Sequence, residues 1–399
     1  MRLVNFILLI CFLVGMAPVP FLNRSRSVPL YQMSLKQTLT ASPVGNNFHY
    51  GGSQAISENG QHVLIGCYDC TVSGAANSGL VDYWKKGAGE SWTRTNSFNP
   101  TALADGQFGY VLAISGDGNY AAISGQTQGR VYIYKRNNGT NIWEPTQNFQ
   151  SPNYSPSIQF VNEMAFSYDG TYLVIGSPLE NSGASATGRA YIYYRQPANS
   201  TYDSTPIATL PNPKPLAANR YFGYSVGISV DGTWIIVGAK SEDNVTVNTG
   251  NAYIYRRTGT TTINTTPQDL SPNTTYSSEC GTTARINNIR ALISCSIQPN
   301  FFAYIYNGST WVLNTSFAEG AYIDLSNSYY SISLTSGAIK PWVDNRNTYT
   351  AGTAITLPSS PSTPEALISI DGRYVVAGTW EFDDSGFTDS GRAYIYKLE

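Results

Sequence analysis

Four acidic side chains near the C-terminal end, Glu381, Asp383, Asp384 and Asp389, are the one group here whose type and spacing could do chemistry directly. Clustered carboxylate oxygens can hold calcium, and a carboxylate pair can split a glycosidic bond. Catalytic carboxylates are expected from several elements converging on one cleft, whereas these four share one loop. Solvated loop charges are the simpler expectation, with calcium as the alternative left open. His49 and His62 are the only histidines, and neither has a triad-like setting, which disfavours nucleophilic catalysis and zinc. No glycine-rich phosphate loop precedes a helix, because no segment reads as helical. The chain is expected to be no enzyme and to need no cofactor.

The elements that must carry these residues repeat. The clearest core is Phe222-Gly223-Tyr224-Ser225-Val226-Gly227-Ile228-Ser229-Val230-Asp231-Gly232-Thr233-Trp234-Ile235-Ile236-Val237-Gly238, and matching cores start at Tyr50, Phe108, Phe160 and Cys280. A late copy begins at Ala366, and a degraded one lies between Phe317 and Tyr349. Asp-Gly between two apolar runs predicts a tight hairpin, since glycine takes positive φ without steric cost. That turn stands at Asp117-Gly118, Asp169-Gly170, Asp231-Gly232 and Asp371-Gly372, with Asn59-Gly60 in the first copy. A third strand of Ala/Val-Tyr-Ile-Tyr type follows each clear core from the second on, as at Val131, Ala190, Ala252, Ala303 and Ala393. Gly129, Gly188, Gly250 and Gly391 open four of these strands and are expected to let one backbone approach another. A fourth strand ends at Leu39, Phe98, Phe149, Leu210, Leu270, Phe317 and Leu357.

Seven fourth strands, the first ahead of the first core, predict an all-β, seven-bladed β-propeller over residues 30–399. The chain stops after the last third strand, so the N-terminal strand is expected to complete the last blade and remove two exposed edges.

Composition narrows the partners. Charged residues make up 13% and net charge is −2, with no basic patch, so no nucleic-acid partner is expected. Arg2, an apolar run over residues 3–16 and the break Ala17-Pro18-Val19-Pro20 read as a signal peptide within residues 1–26. Uncleaved, residues 3–21 approach spanning length, but Arg24 and Arg26 would then hold the propeller in the cytosol. Sequons and cysteines speak against that, so no membrane insertion is expected after cleavage. With Cys11 removed, Cys67, Cys70, Cys280 and Cys295 form an even set, and an exported chain is expected to join them as two disulfides. Cys280 and Cys295 would face each other across one hairpin. Cys67 and Cys70 would staple a loop, since a redox role needs a helix N-terminus to lower a thiol pKa.

Asn-x-Ser/Thr sequons occur at Asn23, Asn138, Asn153, Asn199, Asn244, Asn264, Asn273, Asn307 and Asn314. A chain so rich in Asn, Ser and Thr carries about six or seven by chance, so position says more than number. Asn138, Asn199, Asn264 and Asn307 fall between third and fourth strands, in exposed turns that suit a glycan.

The repeat resembles the FG-GAP repeat of integrin-α-type propellers and their stand-alone relatives. Phe108-Gly109 and Phe222-Gly223 match its Phe-Gly element, and Gly176-Ser177-Pro178 and Gly238-Ala239-Lys240 are degenerate forms of Gly-Ala-Pro. The resemblance implies a seven-bladed ring with an extracellular binding role. Such repeats often carry a calcium loop of spaced aspartates ending in Asp-Gly. Here the loop is only Ser-x-Asp-Gly, and one carboxylate per turn cannot supply the six or more oxygens that calcium takes. These aspartates are expected to form turns. No leg, transmembrane helix or tail follows the repeats, so an integrin subunit is not expected. A secreted or cell-surface module binding an extracellular protein or glycan is the first expectation, with variable loops at residues 178–187 and 241–249. Self-association as a structural subunit of a filament, wall or coat is the second, favoured by low charge and 29 tyrosines. A sugar-active enzyme built on Asp383 and Asp384 is the third.

Overall fold

The computed structural model describes residues 32–42, 44–99, 104–153, 160–214, 218–243, 247–272, 277–297, 301–318, 322–328, 330–335, 337–345, 348–358, 365–383 and 386–399. The signal-peptide expectation for residues 1–26, with Asn23, falls outside them, as do Asn244, Asn273 and Asp384.

Seven antiparallel sheets follow one another along the chain. Blade 4 shows the pattern, with strands Phe222–Ile228, Trp234–Ala239, Asn251–Arg257 and Ile263–Asp269 in sequential order from the axis outward. Blades 1, 2, 3, 5 and 6 occupy residues 53–98, 108–150, 163–211, 284–317 and 322–356. The degraded copy after Phe317 is therefore a true blade, its inner strands Tyr322–Leu325 and Tyr330–Thr335 paired like the others. Blade 7 supplies three strands from residues 365–398 and takes Met33–Leu39 as its outer strand. Leu39 pairs with Ala393 and Met33 with Leu398, so the N-terminal strand closes the ring.

The second strands read as continuous apolar runs because each sheet is covered on both faces. Ile235, Ile236 and Val237 are all fully buried, one parity facing blade 3 and the other blade 5.

The Ser-x-Asp-Gly turns are wider than the two-residue hairpin expected from Asp-Gly, and they have a clear logic. Ser229 Oγ donates to Asp231 Oδ1 (2.7 Å) and accepts the Trp234 N–H (2.9 Å), while Asp231 also accepts the Thr233 N–H (2.9 Å). Gly232 takes φ +70° to complete the turn. The same bonds recur around Asp117, Asp169 and Asp371. Each carboxylate is thus engaged within its own turn.

Blades join where glycines meet. Phe222 N–H donates to Thr187 O (3.0 Å), and a Cβ at Gly188 would collide with the Phe222 backbone. Gly250 meets Cys280 and Gly391 meets Tyr50 in the same way. Gly79, which the sequence pattern did not single out, does so against Phe108. Gly129 departs from the expectation. It ends a short 3-10 turn at φ +57°, and Phe160, opening the next repeat, is followed by Val161 instead of glycine.

Cys67 bonds to Cys70, and Cys280 to Cys295 with Cα atoms 4.0 Å apart. Among the described residues no helix is long and apolar enough to cross a membrane.

Candidate functional site: the mouth of the central channel

First strands run along the axis in one direction, so antiparallel pairing sorts every loop to one of two faces. One face, the mouth, carries the starts of the first strands and the loops between second and third strands. The other, the floor, carries the Ser-x-Asp-Gly turns and the turns between third and fourth strands.

The channel encloses about 550 Å³ and is lined by the first strands of all seven blades. In blades 1 to 4 the position two residues before the turn serine holds Ala55, Ala113, Ala165 and Gly227. The same position in blades 5 and 6 holds Arg285 and Asp324. Arg285 Nη1 meets Glu163 Oε1 at 2.7 Å, and its Nε donates to Asp324 Oδ1 at 2.9 Å. The remaining oxygens are also satisfied. Glu163 Oε2 accepts the Val226 N–H (2.8 Å) and Asp324 Oδ2 the Ile368 N–H (2.8 Å). Burial alone would depress the Arg285 guanidinium, but the two carboxylates more than offset it and hold it above its ordinary value. Burial likewise lifts Glu163 and Asp324, opposed by Arg285.

Glu365, at the start of blade 7, is different. No hydrogen bond or ion pair engages its carboxylate among the described residues. Its side chain opens to the channel while protein surrounds it, so water reaches it without the full screening of bulk solvent. This enclosure, then the nearby Glu163 charge, raises it to about 7, with Arg285 opposing.

Aromatic rings form the wall above. Trp380 meets His49 edge-on with centroids 5.0 Å apart, His49 stacks on Tyr68 at 5.4 Å, and Tyr68 meets Tyr110 at 5.1 Å. His49 is oriented by Asp69, whose Oδ2 lies 2.6 Å from His49 Nδ1. Tyr224 and Tyr322 continue the lining in blades 4 and 6. Burial, followed by neighbouring hydroxyls and carboxylates, pushes Tyr322 up to about 12 and raises Tyr68 and Tyr110. All three are O–H donors at neutral pH.

The floor is narrow. Glu58 N–H donates to Gly116 O, Asp117 to Tyr168 O, Tyr168 to Val230 O, and Asp371 to Glu58 O, all at 2.9–3.0 Å. These bonds draw the turns of successive blades together. The Tyr168 hydroxyl reaches from blade 3 to Glu58 of blade 1 (2.6 Å), and both Tyr168 and Ile370 crowd Gly116.

The residues nominated from sequence take other places. Asp383 Oδ1 accepts the Asp389 N–H (3.0 Å), which shapes the loop between second and third strands of blade 7. Asp243 and Asn181 do the same in blades 4 and 3, so the role needs an acceptor and not a charge. Glu381 belongs to the same loop, next to Trp380. No group of three or more His, Cys, Asp or Glu suited to a metal occurs among the described residues. His62 is buried against Tyr83 (2.8 Å), and burial lowers it to about 3, so it stays a neutral core residue. The described sequons divide by face. Asn138, Asn199 and Asn307 are exposed in floor-side turns, whereas Asn264, expected in such a turn, is exposed within the outer strand Ile263–Asp269 of blade 4. Asn153 lies on the mouth side, its amide donating to Glu180 and to the Tyr191 hydroxyl (3.1 Å). Asn314 sits within the outer strand Trp311–Phe317 of blade 5.

Sequence reasoning missed Glu163, Arg285, Asp324 and Glu365. The signal was present: Arg285 and Asp324 interrupt an inner-strand position that holds Ala or Gly in blades 1 to 4, and Glu163 and Glu365 stand two residues earlier, where blades 1 and 2 hold Ser53 and Val111.

Residues 215–255, spanning most of blade 4, match the FG-GAP repeat family. The chain is a seven-bladed β-propeller that carries an FG-GAP repeat in its fourth blade. No curated protein matches the chain. Solved structures with the same fold include a protein from Lactobacillus plantarum, 10% identical over 77% of this chain and 85% of that one, with a TM-score of 0.54. A chain of the mitotic checkpoint complex aligns over 92% of both chains at 10% identity and a TM-score of 0.57. A putative 6-phosphogluconolactonase from Bacteroides uniformis aligns over 77% of this chain and 85% of that one, at 12% identity and a TM-score of 0.53. At such identities the likeness concerns the fold alone, which hosts many unrelated functions.

Proposed function

We propose that this FG-GAP propeller is an extracellular, non-catalytic binding module that receives its ligand at the channel mouth. One observation carries the reading. Side chains from separate blades converge at that opening as an aromatic wall around the uncommitted carboxylate of Glu365, while the opposite end is narrowed by turns bonded to one another. A cavity of about 550 Å³ lies within the size range of ligand pockets, and its lining is mixed polar and apolar. The two disulfides fit an oxidising compartment. Three exposed sequons in floor-side turns leave the mouth clear of any glycan attached there.

Glu163 and Asp324 support binding rather than turnover. Both carboxylates are held by Arg285 and by a backbone N–H, as struts would be. The test is capture of extracellular proteins and glycans on the immobilised chain, repeated with Tyr110→Ala and Tyr322→Ala. Loss of the captured ligand with unchanged melting supports the mouth. A ligand retained by both variants and lost on floor-face substitutions overturns it.

A further inference from the structure

The mouth's own charges narrow what it can hold. Glu163 and Asp324 have no oxygen left for an incoming cation, because Arg285 and the backbone occupy them. Arg285 is held on two sides and is not free to clamp an anion. What faces the cavity uncommitted is mixed and largely neutral: the phenol groups of Tyr68, Tyr110 and Tyr322, and the Glu365 carboxyl. Phenols donate and accept, and a carboxyl near its midpoint at neutral pH does both as well. The wall Trp380–His49–Tyr68–Tyr110 offers a continuous run of ring faces and edges. All four rings are half-buried; Tyr68, Tyr110 and Trp380 line the cavity, and His49 packs between Trp380 and Tyr68.

A ligand complementary to this surface needs an apolar flank, several hydroxyls and no net charge. Saccharides have all three. We propose that the mouth is a saccharide site that takes the terminal unit of a glycan end-on, its C–H face against the aromatic wall and its hydroxyls bonded to Glu365, Tyr110 and Tyr322. End-on entry follows from the shape. The floor is narrowed by Tyr168 and Ile370, so a chain cannot thread the axis. A channel of about 550 Å³ has room for a terminal sugar unit.

This inference rests on the mouth being the binding region, and the test separates the two claims. Free hexoses, pentoses and N-acetylhexosamines are offered singly, at millimolar concentration, to the full mature chain under saturation-transfer NMR. Positives are then titrated against Tyr110→Ala, Tyr322→Ala and Glu365→Gln, with circular dichroism to confirm folding. We expect one class of free monosaccharide to bind, and affinity to fall at least about tenfold when either tyrosine is removed. Glu365→Gln should keep measurable binding, since an amide also donates and accepts, and should flatten its pH dependence between about pH 5 and 8. Glu163, Arg285, Asp324, Tyr68, Tyr110, Tyr224 and Tyr322 face Glu365 from the other blades and stay unchanged in that variant.

No saturable signal from any free sugar overturns the saccharide assignment. If a protein ligand is meanwhile lost in Tyr110→Ala, the mouth stands and only the saccharide claim fails. If a sugar binds with affinity indifferent to all three substitutions, both claims fail.

Discussion

The two ends of the channel are built from the same repeats yet differ in kind. At the floor, blades 2, 3, 4 and 7 commit the polar groups of their Ser-x-Asp-Gly turns locally. The turn serine and aspartate bond to each other and to the next strand, and backbone bonds tie neighbouring turns together. At the mouth the repeat rule lapses. Blades 5 and 6 place Arg285 and Asp324 toward the axis where blades 1 and 2 place Ala55 and Ala113, and blades 3 and 7 place Glu163 and Glu365 where blades 1 and 2 place Ser53 and Val111. The floor shows what the repeat needs in order to fold. The mouth shows where individual blades were free to differ, and such local departures are where function is carried.

The largest blow to this contrast is Arg285→Met. It strands two enclosed carboxylates without a counter-ion, and should destabilise the protein by about 3–5 kcal/mol in chemical denaturation. Adding Glu163→Gln and Asp324→Asn to that variant should restore most of the loss. A single Arg285→Met as stable as the parent would mean the ionic strut contributes nothing.

Next in size is the floor. Asp231→Ala removes a turn acceptor for Ser229 and Thr233 and should cost about 1 kcal/mol, with ligand binding unchanged. Reduced binding in this variant would show that the two ends are coupled.

A smaller effect concerns pH. Glu365 is raised from 4.5 to about 7, so the folded state holds a proton that the unfolded chain releases earlier. Stability therefore falls as pH rises through the interval between those two values, and the loss is complete above about 7. Glu365→Gln should abolish that slope and melt higher than the parent above neutrality. Melting curves collected across this interval decide it, and a slope identical in both proteins would refute the assignment.

The smallest expected change is the stability of Tyr110→Ala. Its half-buried ring packs on Tyr68 alone among the described aromatic contacts, so the loss should stay within about 1.5 kcal/mol. A much larger loss would make the aromatic wall a structural device.

Period and turn chemistry made the ring legible from sequence. Asp231-Gly232 and its copies mark the hairpins, and the offset of Leu39 from the first core marks closure. The cysteine pairs followed from parity and spacing. The mouth was not legible in the same way, for a physical reason. Clustering along the chain drew attention to Glu381, Asp383, Asp384 and Asp389, whereas a propeller assembles its axis from residues tens of positions apart. Glu163 and Asp324 each look isolated in sequence and meet only through Arg285. Gly129 misled because its place in the pattern matches Gly188, while its partner repeat lacks the Phe-Gly step that would demand close approach. Asp383 misled because a loop acceptor can be written as Asp or Asn: blade 3 uses Asn181, and blades 4 and 7 use Asp243 and Asp383.

The pairing of Met33–Leu39 with Arg392–Leu398 sets the order in which the protein can be made. Ser34 and its partner Glu399 are 365 residues apart. A ribosome releases the first of these strands long before it has polymerised the second, so the early strand must wait without its mate while the intervening sheets assemble. Maturation therefore includes a late closing event that must wait for Arg392–Leu398, and a nascent chain interrupted anywhere upstream of Arg392 keeps an open seam.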